Sequence, residues 1–130
     1  MTGIKPASKL PDVNMEFVNR EPELRELDTA AKHGGLLWDC VFSSDTFKLF
    51  KPDPGMYLGA ADMLGLKPEE VMMVAAHKPD LRAAAKCGLK TAFVQRPREH
   101  GRGGAPDLAP EPDFTVNAGS FLDLAGQLGC

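Results

Sequence analysis

Cysteine, aromatic residues and long apolar runs are all scarce in this chain of 130 residues. Three cysteines, Cys40, Cys87 and Cys130, are too few and too widely spaced for a disulfide framework or a zinc site. They fit a reducing cytoplasm, which is the expected compartment. No apolar run approaches the ~20 residues that span a bilayer, so no membrane is expected as a partner. The opening Met1-Thr2-Gly3-Ile4-Lys5-Pro6 lacks the apolar block of a signal peptide. Positive charge is not in excess either. The formal net charge of -3 leaves no broad cationic field for nucleic acid. No glycine-rich phosphate loop is present, because Gly101, Gly103 and Gly104 follow a strand-like segment with no helix behind them. What is left is a globular composition, 43% hydrophobic and 25% charged, with room for one domain.

The first twelve residues carry two prolines and little apolar content, which reads as a frayed arm. The arm is drawn over 1–20, followed by one domain over 21–130. A helix is expected from Glu21 to Lys32, with Leu24, Leu27 and Ala31 on one face and His33-Gly34-Gly35 as its stop. Trp38 to Phe42 reads as a short strand. Asp53 as N-cap and Pro54 at N1 open a second helix that Gly65 closes, with Tyr57, Ala60, Ala61 and Leu64 on its apolar side. Val71 to Ala75 is an unbroken apolar run, the pattern of a strand covered on both faces. Pro79 starts a third helix, on which Leu81, Ala84 and Ala85 share a face, and Gly88 ends it. Thr91 to Val94 is the next strand. A loop rich in glycine and proline runs from Arg96 to Pro112. Phe114 to Val116 is read as the last strand, and Ser120 to Leu128 as the last helix.

Strands and helices that alternate in this way predict an α/β fold with a mostly parallel sheet. Ligands in such folds sit beyond the carboxyl ends of the strands. Three clusters meet that criterion: Ser43 to Asp45 with Phe50 to Pro54, Ala76 to Asp80, and Gln95 to His100. Lys51 would set a fixed cation near a site. Asp80, close to a helix N-terminus, would be favoured in its ionised form. It can then hold Lys51, accept a proton, orient water or help bind a metal. Each residue has a plainer reading as well. Lys51 fits a solvated turn, Asp80 a helix cap, His77 a turn residue, and Tyr57 a core residue with its hydroxyl at the rim. Cys87 reads as a small buried apolar residue, and Arg96 and Arg98 as loop arginines facing water.

Three segments narrow the choice: Phe47 to Tyr57, Leu64 to His77, and Asp80 to Ala84. A Lys-Pro turn, a hydrophobic strand and an Asp-bearing turn at this spacing closely resemble the haloacid dehalogenase (HAD) superfamily, and within it the type II 2-haloacid dehalogenase group. The likeness continues through Gly88 to Val94 and Arg96-Pro97, and covers roughly residues 29 to 128. It implies a Rossmann-like core with a helical cap domain. An N-terminal Asp there attacks the substrate carbon, displaces halide and forms an ester that water hydrolyses. The dehalogenase branch works without metal, whereas phosphatase relatives use magnesium. Lys51 matches the family lysine that steadies charge on the nucleophile and the substrate carboxylate. Asp80 matches the acid that supports this lysine and the hydrolytic water. These two are the expected catalytic residues. Tyr57 matches a tyrosine at the pocket edge, and His77 stands where well-studied dehalogenases carry Asn. They are the expected substrate-binding residues, and no metal ligand is assigned.

The departures are equally specific. No Asp-x-x-Gly-Thr motif occurs, and Asp12 and Asp28 are the only aspartates before residue 39. The second motif has a weak echo at Glu16-Phe17-Val18-Asn19, where Val18 has no hydroxyl to donate. The 130 residues leave no room for a cap. The expectation is therefore a partial HAD-like parallel sheet with flanking helices, lacking the nucleophile strand and the cap domain. Such a chain should take a small 2-haloacid by family but turn none over alone. It should also carry an unpaired edge along Val71 to Ala75, which invites a homo-oligomer or a complementing chain. A magnesium-dependent phosphatase fragment and a non-catalytic binding or assembly module are the alternatives.

Overall fold

The second helix opens as its sequence requires. In the computed structural model, which describes residues 33–35, 38–99, 101 and 106–130, Asp53 Oδ1 accepts the Gly55 N–H at 2.8 Å. Pro54 occupies the first turn, where its missing N–H costs nothing. This helix, α2, spans Pro54–Met63 and follows a short helix α1 at Ser44–Phe47. Gly65, at a φ of 67°, reverses the chain after α2 in a conformation that a side chain would oppose. A single 3-10 turn at Pro68–Glu70 then leads into strand β1, Met72–Ala75. Helix α3, Lys78–Lys86, carries the chain over the sheet to β2, Lys90–Val94, with Gly88 at a φ of 88° in the intervening turn. Strand β3, Val116–Ala118, and helix α4, Phe121–Leu128, complete the order.

The sheet is three-stranded, ordered β1-β2-β3, with both pairs parallel. Ala75 lies opposite Phe93, and Val94 opposite Ala118. Helices cover both faces. On one, Leu81 of α3 packs with Phe93 and Phe114, while Tyr57 of α2 packs with Ala84 and Leu89. On the other, Leu124 of α4 packs against Ala92, Val94 and Ala118. β2 is therefore buried from Thr91 to Val94. This is an α/β layer with a parallel sheet and flanking helices. No helix among the described residues is long and apolar enough to cross a membrane.

Two expected strands need correction. Trp38 to Phe42 forms none; its residues run irregularly into Ser43, the N-cap of α1. The Phe42 ring instead meets Phe47 at 5.7 Å between centroids. Apolar and β-branched content without a ladder partner does not make a strand. The last strand begins at Val116 rather than Phe114. Phe114 is drawn into the core cluster, and the Thr115 N–H donates to the Thr91 hydroxyl at 3.4 Å, while the Thr91 N–H donates to the Thr115 hydroxyl at 3.1 Å. Two side-chain hydroxyls thus replace the backbone rung, and the ladder starts one residue later. The unbroken apolar run at β1 also does not bring cover on both faces. β1 is an edge strand among the described residues, and Val74 remains 39% exposed because α4 sits over β2 and β3. The arm over 1–20 and the helix from Glu21 to Lys32 lie outside the described residues.

Candidate active site

The turn at Lys51 and the first turn of α3 meet through charge. Lys51 Nζ donates to Asp80 Oδ2 at 2.7 Å across 29 residues of sequence. Tyr57, on the buried side of α2 and 3% exposed, donates its hydroxyl to Asp80 Oδ1 at 2.5 Å. Both oxygens of one carboxylate are thereby engaged. α3 starts just past the carboxyl end of β1, with the Asp80 N–H donating to the His77 carbonyl at 3.2 Å, so Asp80 lies at the end of the strand where a ligand is expected.

The electrostatics give each group one role. Burial, then the hydrogen bond and charge of Asp80, push the Tyr57 phenol well above its ordinary pKa. Tyr57 is thus a fixed proton donor. Asp80 is an acceptor held from two sides, at 18% side-chain exposure. Lys51 is half exposed, and its ammonium has further protons to offer beyond the one spent on Asp80. A preorganised cation with an open side can stabilise negative charge that gathers beside it.

His77 points elsewhere. Its Nε2 is 3.0 Å from Glu99 Oε1, which also takes Arg96 at 3.4 Å. It lines a cleft of about 290 Å³ with Lys78, Arg82, Arg96, Glu99 and Asp107, and not the face where Lys51, Tyr57 and Asp80 meet.

Lys78 carried no role in the sequence reading, yet it is a buried cation at 5% exposure. Its Nζ reaches Asp107 Oδ1 at 2.7 Å and Glu111 Oε1 at 3.3 Å, and lies 5.3 Å from the centroid of the Phe93 ring. Arg82 joins the same Glu111 oxygen at 2.6 Å. Desolvation pulls the Lys78 pKa down, but the hydrogen bonds to Asp107 and Glu111 outweigh it and raise it above 10.5. The Lys78 hydrogen bond holds Asp107 below its ordinary 3.8, and the Arg82 hydrogen bond holds Glu111 below 4.5. Two depressed carboxyls add stability that is present above about pH 4.5 and lost as pH falls through their folded values. The raised amine adds stability that is present below 10.5 and lost as pH rises through its folded value. Thermal melts of the Lys78→Met, Asp107→Asn, Glu111→Gln triple variant against the wild type should therefore differ most between about pH 5 and 10, with the difference narrowing on either side.

Comparison with known proteins agrees with this fold. The model of the haloacid dehalogenase-like hydrolases matches residues 18–88, more than half of the chain. The chain belongs to this family. Among solved structures, the L-2-haloacid dehalogenase PA0810 is 52% identical with a TM-score of 0.71, over 76% of this HAD-like chain and 44% of that one. The (S)-2-haloacid dehalogenase 4A of Burkholderia cepacia is 41% identical over 58 residues, 45% of this chain and 25% of the relative. The enolase-phosphatase E1 of Persephonella marina is 39% identical over 49 residues, 38% of this chain and 22% of the relative. This HAD-like chain thus spans about a quarter of the length of these two curated relatives and under half of the solved dehalogenase.

Proposed function

We propose that this chain contributes the fixed-charge half of a hydrolase site for small 2-haloacids. The observation that carries this is the single carboxylate, Asp80, clasped by Lys51 and Tyr57 at the carboxyl end of a parallel strand. In this reading Lys51 faces the substrate carboxylate and the charge on an attacking aspartate. Asp80 holds Lys51 in place and takes a hydrogen bond from the hydrolytic water. Tyr57 fixes the second Asp80 oxygen and closes the pocket edge, whereas His77 is turned to Glu99 and borders the neighbouring cleft. The dehalogenase names among the most similar proteins support the choice of substrate class.

The attack itself needs a group that these 130 residues do not contain in motif form, an aspartate of the Asp-x-x-Gly-Thr type. Losing a covalent nucleophile costs several orders of magnitude in rate. The edge of β1 is the place for a strand that brings one from a complementing chain. The phosphatase alternative rests on the likeness to enolase-phosphatase E1. It would need magnesium, for which Asp80, beside Lys51, is the acid that this chain would supply.

The test is an assay of the purified 130-residue chain for chloride release from L-2-chloropropionate and for phosphate release from phosphoesters with magnesium. We expect neither. In a chimera where this chain replaces the matching part of dehalogenase PA0810, we expect chloride. Phosphate release instead of chloride would favour the phosphatase reading, and chloride release by the chain alone would overturn the split site.

A further inference from the structure

Lys78 stands where a lysine is least welcome: in the first turn of a helix, where the peptide dipoles already present positive charge, and almost wholly out of water. Its partners explain how it stays charged. They also show what it holds. Lys78 and Arg82 are one turn apart on α3 and converge on the same Glu111 oxygen, with Asp107 on the other side of Lys78. At ~3.6 residues per turn, Asp80 projects from the opposite side of the helix, roughly 160° from both. Its partners are accordingly different, Lys51 and Tyr57.

The first turn of α3 is therefore gripped from two sides by unrelated pieces of chain. One grip comes from residues 51–57, the other from 107–111. Nothing in that turn replaces the second grip. The His77 N-cap makes no side-chain cap, because its imidazole is turned to Glu99, and Pro79 has no N–H to offer. From this we infer that Lys78, with Glu111 and Asp107, forms a counter-clamp that sets the position of Asp80 against Lys51 and Tyr57. Lys78 is a positioning residue, acting on the site through the helix backbone. The inference rests on the proposed importance of Asp80, but its test does not need activity.

Tyr57 is the single tyrosine of the chain, so its ionisation can be read without interference. Burial, the Asp80 contact and, more weakly, Cys87 just past the end of α3 keep the phenol protonated. In the wild type, phenolate absorbance should rise only together with alkaline unfolding, followed by far-ultraviolet circular dichroism. In Lys78→Met, Asp80 drifts from the phenol, and phenolate absorbance should rise at lower pH than unfolding. Lys78→Arg, which keeps a cation within reach of both acids, should restore coincidence. If Lys78→Met does not fold, Glu111→Gln is the second variant, with the same expected separation. A folded variant in which ionisation and unfolding still coincide would overturn the clamp. Loss of stability alone, with coincidence kept, would leave Lys78 a merely structural residue and count against the inference. Chloride release by the chimera plays no part in either outcome, so failure of the dehalogenase reading stays distinguishable.

Discussion

Phe93→Ala should destabilise the fold by about 3–5 kcal/mol, enough to bring a domain of this size close to its unfolding limit. Phe93 is 1% exposed in the central strand β2 and meets Leu81 of α3, Phe114, and the partly buried Met73 and Ala75. Truncation removes the ring from all of these at once, and β2 cannot collapse inward because both its neighbours are hydrogen-bonded to it. The same ring lies under Lys78. Its loss therefore also strips an apolar wall from a buried cation, which adds to the cost. Phe121→Ala provides the matched control. That side chain is 69% exposed on α4, and its removal should shift stability by no more than about 0.5 kcal/mol. Urea unfolding of the two variants measures the difference directly. Equal effects would mean that the sheet is not the core.

The helices were legible in the sequence because their ends carry chemistry that acts locally. Asp53-Pro54 starts α2 and Gly65 ends it; Gly88 ends α3, and Ser120 caps α4 by accepting the Asp123 N–H at 3.1 Å. Strands depend on partners, and there the reading slipped. Nothing local in Phe114-Thr115-Val116 reveals that Thr91 will take the Thr115 rung, nor does anything in Trp38 to Phe42 reveal the lack of a neighbour. At β1 the apolar run was visible, but its exposure at Val74 depends on how far α4 extends over the sheet.

The site was legible in a different way. Spacing alone left Lys51 open between a turn residue and a cation near a site, and Asp80 between a cap and a partner for that lysine. The family resemblance favoured the pair, and the structure places them 2.7 Å apart. The expected core position of Tyr57, with its hydroxyl at the rim, is what the fold shows: a buried ring with its hydroxyl on Asp80. Lys78, Asp107 and Glu111 escaped notice for a physical reason. Two of them lie in or beside a stretch dense in glycine and proline, where acids normally face water, and a lysine before a proline looks solvated. Only a folded loop returning across α3 makes them partners.

Lys51→Met in the chloride-releasing chimera should cost about 10²–10³-fold in kcat, the usual loss when one preorganised charge-stabilising donor is removed from a site. The effect is electrostatic. Lys51 is fixed by Asp80 on one side and open on the other, so it needs no reorganisation when charge develops near it. Methionine keeps the length and the apolar stem and deletes only the charge. The fold should survive, because a half-exposed ion pair adds no more than about 1 kcal/mol to stability. Lys86→Met, in the last turn of the same α3 helix and outside the Asp80 contacts, controls for a general loss of positive charge.

The most direct measurement is therefore chloride release from L-2-chloropropionate by that chimera with and without the Lys51 ammonium, in proteins of equal thermal stability. Turnover should collapse on Lys51→Met and hold on Lys86→Met. Undiminished turnover by Lys51→Met would contradict the role given to Lys51.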